Sequence, residues 1–152
     1  MDARKLQIQQ LDSKIKAFRS LKNIIPPNTG WIKAIRLALG MSLNQLSNRL
    51  GITRQSALEI EQREKKMTIS LKLLKETADA LDMELVYGFI PRDGSLKKLV
   101  DRKALHLATE IVLRTSNTME LEEQGNSEQR IKRAIKERTE ILKNEMPKIL
   151  WD

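Results

Sequence analysis

The chain has 152 residues, 40% of them hydrophobic, with a formal net charge of +8, one histidine and no cysteine. That length and apolar content permit one sizeable core or a small domain with an appendage; the lack of cysteine excludes disulfides and thiolate metal sites, and a lone histidine argues against a histidine cluster. No apolar run reaches the length of a membrane span and MDARKLQIQQ lacks the apolar core of a signal peptide, so a cytoplasmic protein without cofactor or metal is expected, its charge suiting a polyanion, a membrane surface or a solvated helical surface.

From Met1 to Lys22, Leu6 or Ile8, Leu11, Ile15, Phe18 and Leu21 recur among basic residues and glutamines, which predicts an amphipathic helix. Two roles stay open for it: packing on the rest of the chain, or lying along DNA phosphates as a basic arm with Arg4, Lys5, Lys14, Lys16 and Arg19 as contacts. Pro26 and Pro27, followed by Asn28, Thr29 and Gly30, break the helix, so residues 1–29 read as a helix and a linker. A helix is then predicted from Trp31 to Leu39, with Ile32, Ile35, Leu37 and Leu39 inward, Lys33 and Arg36 outward, and Gly40 ending it.

The stretch Ser42 to Glu64 has the spacing of a helix-turn-helix. Leu46, Leu50, Ile52, Ala57 and Ile60 let two short helices pack across a turn, and Gly51 stands where the chain reverses. Ser42 and Thr53 each precede a helical run as capping residues. The second helix opens with Thr53, Arg54, Gln55 and Ser56 around small Ala57, as a helix end entering a major groove requires. An ordinary helical hairpin is the competing reading. Thr68 or Ser70 caps a further helix with Leu71, Leu74, Ala78 and Leu81, completing a domain over residues 30–82.

Met83 to Ile90, MELVYGFI, reads as a strand stopped by Pro91. No second strand candidate exists to pair with it, so residues 83–91 are expected to dimerise across a two-fold axis through Leu85, Val86, Tyr87 and Phe89; an extended segment packed on helices is the alternative. In residues 92–152, Leu96, Leu99, Val100, Leu107, Ala108 and Ile111 predict a helix from Ser95 to about Arg114. His106 lies within it, with no nucleophile or carboxylate constellation to make it a base. Asn117 and Glu120 form a capping-box pattern for a short helix through Glu123, ended by Gly125 and Asn126. Ser127 caps a last helix with Ile131, Ala134, Ile135, Ile141 and Leu142 on one face and many cations elsewhere, terminated by Pro147. The cations suit solvent, DNA or an acidic partner, and Ile149, Leu150 and Trp151 are candidate partner anchors. No metal cluster, nucleophile elbow or phosphate loop is legible, so an enzyme is not expected and no catalytic residue is assigned.

GWIKAIRLALGMSLNQLSNRLGITRQSALEIEQRE and ADALDMELVYGFIP, between Gly30 and Pro91, resemble the phage-repressor-like, or Xre-like, helix-turn-helix class found in many antitoxins. More closely they resemble the family called mobile mystery protein A, which RTSNTMELEEQ, Arg114 to Gln124, also fits. The resemblance implies a mostly α fold: a helix-turn-helix domain with one dimerising β-strand and a C-terminal helical extension. It implies base contacts from Arg54, Gln55, Ser56, Leu58 and Glu59, and phosphate contacts from Asn44, Thr53, Lys65 and Lys66. Arg54 suits guanine, Gln55 adenine, and Glu59 cytosine or the orientation of Arg54. Leu43 stands where such repressors commonly carry a phosphate-contacting glutamine, so either Asn44 takes that contact or it is lost. Members are typically encoded beside a Fic-domain partner, which implies an antitoxin-like repressor of its own operon, a homodimer on a two-fold symmetric operator. The alternative is an interaction module whose C-terminal helices, Ser95 to Asp152, inhibit an AMP-transferring Fic toxin. The inhibitory pattern of such partners, Ser or Thr, then Glu four residues on, then Gly or Asn, is absent in strict form: Leu121 follows the Ser116 and Glu120 pair, and Glu123 follows Thr118 and Glu122.

Overall fold

A computed structural model describes residues 2–120 and 128–152. Seven α-helices occur among them: α1 (Ala3–Ile15), α2 (Trp31–Ala38), α3 (Leu43–Leu50), α4 (Arg54–Lys65), α5 (Leu71–Ala80), α6 (Leu96–Glu120) and α7 (Glu128–Glu145). Two 3-10 stretches, Lys16–Asn23 and Lys148–Trp151, follow α1 and α7. The chain divides into two units, Asn23–Tyr87 and Met1–Lys22 with Gly88–Asp152. No helix of the described residues is long and apolar enough to cross a membrane.

In the Asn23–Tyr87 unit, the local caps set the helix starts. The Ser42 hydroxyl accepts the Gln45 N–H at 3.1 Å while the Gln45 side chain accepts the Ser42 N–H at 2.7 Å, a reciprocal capping box for α3. Thr53 accepts the Ser56 N–H at 3.1 Å and opens α4; Ser70, rather than Thr68, does the same for α5. Each such cap is worth about 0.5–2 kcal/mol. Gly51 closes α3 at φ 66°, the left-handed conformation that a side chain would strain. The helices enclose Ile32, Leu46, Ile60 and Leu81, ringed by Ile35, Leu50, Ile52, Ile69, Leu73 and Leu74.

Two expectations for this unit fail. On α2, Arg36 points inward at 7% exposure, whereas Leu37 and Leu39 are each 57% exposed. Ile32 and Arg36 lie one turn apart and share the packed face, and the charge is tolerated there because Glu61 meets it. The strand expected over residues 83–91 is also absent: among the described residues no β-strand forms, and Met83 to Pro91 carry no regular structure. A strand requires a neighbour for its N–H and C=O groups, and no described segment aligns beside this one.

The other unit is built on α6 and α7, packed antiparallel. Val100, Ala104 and Ala108, successive turns of α6, meet Leu142 of α7 and Met146 just past its end, with Leu150 of the following 3-10 turn and half-buried Ile8 of α1 completing the core. Ala104 and Ala108 are fully buried, their small side chains permitting close approach of the helices. Asp101 and Lys143 bridge α6 and α7 at 3.3 Å. The start of α6 is capped twice: Ser95 Oγ accepts the Lys98 N–H at 3.1 Å, and Asp12 of α1 accepts the N–H groups of Leu96 (2.7 Å) and Lys97 (3.2 Å). Helix α6 runs unbroken through Asn117 to Glu120, so no new helix starts at Asn117. The capping pattern there is outweighed because the helical ladder already satisfies those N–H groups. On α7, Ile141 is 43% exposed and Thr139 is buried in the face instead. The expected roles of Thr118, the Glu120 side chain, Glu122, Glu123, Gly125, Asn126 and Ser127 lie outside the described residues.

Candidate nucleic-acid interface

Helix α4 has two chemically different sides. Ala57, Ile60 and Glu61 are buried against the rest of the unit, with Ala57 fully enclosed. Arg54, Gln55 and Glu59 are exposed, while Ser56 and Leu58 are half-buried at their flanks. Arg54 and Gln55 occupy the first turn, where the helix N-terminus favours anionic groups. Thr53 is exposed and committed to the cap: its hydroxyl accepts from the Ser56 N–H and donates to Ser56 Oγ at 2.9 Å. The Glu59 carboxylate lies 3.9 Å from Arg63, one turn along, in a solvent-exposed pair worth little by itself.

At the other end of α4, Lys65 and Lys66 are exposed, beside Met67 in a left-handed conformation at φ 58°. On α3, Asn44 is exposed in the first turn, whereas Leu43 is 9% exposed and belongs to the core. Leu43 thus cannot offer a polar contact, and Asn44 is the first outward amide of that helix. Of the other segment residues singled out, Leu85 is half-buried and, with Trp31, Ile35, Leu74 and Met83, lines an apolar pocket of about 310 Å³. Val86 and Tyr87 are each 65% exposed and Phe89 is 84% exposed.

What holds α4 in place escaped the sequence reading. The Arg36 guanidinium donates to Glu61 at 2.5 Å from Nε and 3.3 Å from Nη2, and Nη1 reaches the Met41 carbonyl at 3.0 Å. Glu64, one turn beyond Glu61, accepts the N–H groups of Trp31 (3.0 Å) and Ile32 (2.8 Å), capping α2 from α4. Gly30 is required beneath it: φ is 87°, and a Cβ there would stand 2.5 Å from the Glu64 carboxylate. A signal was present, since Ala57, Ile60, Glu61 and Glu64 recur at helical spacing and thus share a face.

The family model described as helix-turn-helix matches residues 32–87. No curated protein and no solved structure matches the chain. Residues 32–87 are therefore a helix-turn-helix domain of the Xre/phage-repressor-like class, the mark of a DNA-binding regulator.

Proposed function

We propose that the chain is a sequence-specific transcriptional repressor, antitoxin-like, in which α4 enters the major groove and reads bases through Arg54, Gln55 and Glu59, with Ser56 and Leu58 at the margin. The observation that carries this reading is the two-sidedness of α4: a buried face fixed by Arg36 and Glu61, and an opposite face of exposed hydrogen-bonding side chains. Asn44, Thr53, Lys65 and Lys66 contact phosphates, which set position without reading sequence. The protein acts as a homodimer on a two-fold symmetric operator in its own promoter. Val86, Tyr87 and Phe89 leave apolar surface for that contact by side-chain packing. The test is a binding titration of purified protein on its own upstream DNA against a scrambled duplex at two salt concentrations. A preference of about a thousandfold supports the reading, and equal affinity for both duplexes refutes it.

A second reading gives α6 and α7 the task of holding a Fic-domain protein. It is favoured by their forming, with α1, a core separate from that of the helix-turn-helix, and by the exposure of Ile149 (56%) and Trp151 (51%) beside it. Co-purification of the Fic-domain protein with the wild-type chain, and its loss on Trp151→Ala with Ile149→Ala, would support this; retention would refute it.

A further inference from the structure

The charge of the protein is not where the helix-turn-helix is. Residues 23–87 carry nine Lys and Arg against seven Asp and Glu, nearly neutral, whereas residues 1–22 carry six cations against two aspartates. Within the latter, the two halves differ. Arg4 and Lys5 of α1 are occupied: the Arg4 guanidinium donates to the Met146 carbonyl at 3.0 Å and Lys5 Nζ to Asn144 Oδ1 at 2.5 Å. These two positions serve docking of α1. Lys14, Lys16, Arg19 and Lys22 are exposed, with no acidic residue between the first and the last.

The 3-10 geometry of Lys16–Asn23 sorts this segment. At three residues per turn, side chains three apart eclipse each other. Lys16, Arg19 and Lys22 therefore form one straight row, Phe18 and Leu21 a second, and Ala17, Ser20 and Asn23 a third. Within the apolar row Phe18 turns inward: it is half-buried, and its ring packs on Gly88 so closely that a Cβ there would lie 2.9 Å away, whereas Leu21 is 44% exposed. The basic row, about a third of a turn around, is left in solvent with its cations about 6 Å apart along the axis. Long side chains at such a repeat suit a polymer of regularly spaced anions. Nothing in the described residues neutralises them.

We propose that the row Lys16, Arg19 and Lys22 is an accessory contact to the phosphate backbone of duplex DNA, outside the helix-turn-helix and independent of sequence. The proposal rests on the DNA-binding reading above. The nine residues from Asn23 to Trp31 span at most about 32 Å, roughly one turn of duplex, so a DNA engaged by α4 offers phosphates within reach of the row.

The experiment uses the full chain with Lys16→Ala, Arg19→Ala and Lys22→Ala combined, beside a control removing the same charge from exposed positions of α7, Lys132→Ala, Arg133→Ala and Lys136→Ala. Circular dichroism melts establish that each is folded, and a third protein with Lys16→Arg, Arg19→Lys and Lys22→Arg keeps charge while changing shape. Affinity is measured over a salt series on the upstream duplex and on a scrambled one. The slope of log affinity against log salt should fall in magnitude by about two to three in the row variant, at about 0.9 per phosphate contact, equally on both duplexes. It should stay unchanged in the α7 control and in the charge-keeping protein. An unchanged slope in the row variant overturns the proposal, as does an equal fall in the α7 control, which would make the effect one of net charge. Because the slope is read on scrambled DNA too, failure of α4 to discriminate sequence shows separately as equal affinity for both duplexes.

Discussion

Arg54 and Gln55 stand exposed in the first turn of α4, and Arg54→Ala should lower discrimination between upstream and scrambled DNA by about 1–3 kcal/mol, in competition titrations, with little change on scrambled DNA alone. Lys65→Ala should instead weaken both duplexes alike and reduce the salt slope by about 0.9. If Arg54→Ala left the preference intact, α4 would not be the reading helix. Arg36 and Glu61 make a different argument. Both are nearly enclosed, so removing one leaves the other charged and unpaired: Glu61→Ala should cost about 3–5 kcal/mol in urea denaturation, a large share of a typical total of about 5–15. Replacing both, Arg36→Met with Glu61→Leu, should recover most of that loss. A double variant as unstable as the single one would show that the pair does more than satisfy itself.

At the scale of the element, α4 and α2 hold each other twice, through Arg36 with Glu61 and through Glu64 on the start of α2. The reading face is thereby fixed by groups on the opposite side of the same helix. Helices α6 and α7 depend instead on small residues. Ala104→Leu should overpack their contact and cost about 1–3 kcal/mol, seen as a lower thermal midpoint, since no space surrounds a fully buried alanine. Arg102 of α6 donates to Asp93, which precedes the helix, at 2.7 and 3.1 Å and holds its carboxyl below the usual carboxylate range. A lowered pKa means that this contribution is present above the unfolded value and is lost as pH falls through the folded one. Arg102→Ala should raise the Asp93 midpoint toward an ordinary carboxylate in an NMR titration; an unmoved midpoint would remove Arg102 as the cause.

For the whole molecule, the division into two units with separate cores predicts that residues 23–87 fold alone. A fragment of that size is marginal, so a cooperative but low thermal transition is expected. It should keep a preference for the upstream duplex while binding with a shallower salt dependence, because the basic row of residues 16–22 is gone. A fragment that melts without cooperativity would mean that the helix-turn-helix core relies on the remainder of the chain.

Much of this was legible because it is local. Ser42, Thr53 and Ser70 cap helices within three residues of themselves, Gly51 takes the left-handed turn that its lack of Cβ permits, and apolar spacing located the helices from α1 to α7. Sequence alone thus determined where most helices begin and that residues 42–64 make a helix-turn-helix. Tertiary structure decided the rest. Arg36 turned inward because a carboxylate 25 positions away was there to meet it; Asp12 and Glu64 became caps for helices remote in sequence; and MELVYGFI formed no strand because no neighbour among the described residues pairs with its backbone. The physical reason is common to all three. A cap or a turn is satisfied by atoms a few bonds away, whereas the fate of a charge or an unpaired backbone group depends on which distant residue the fold brings beside it.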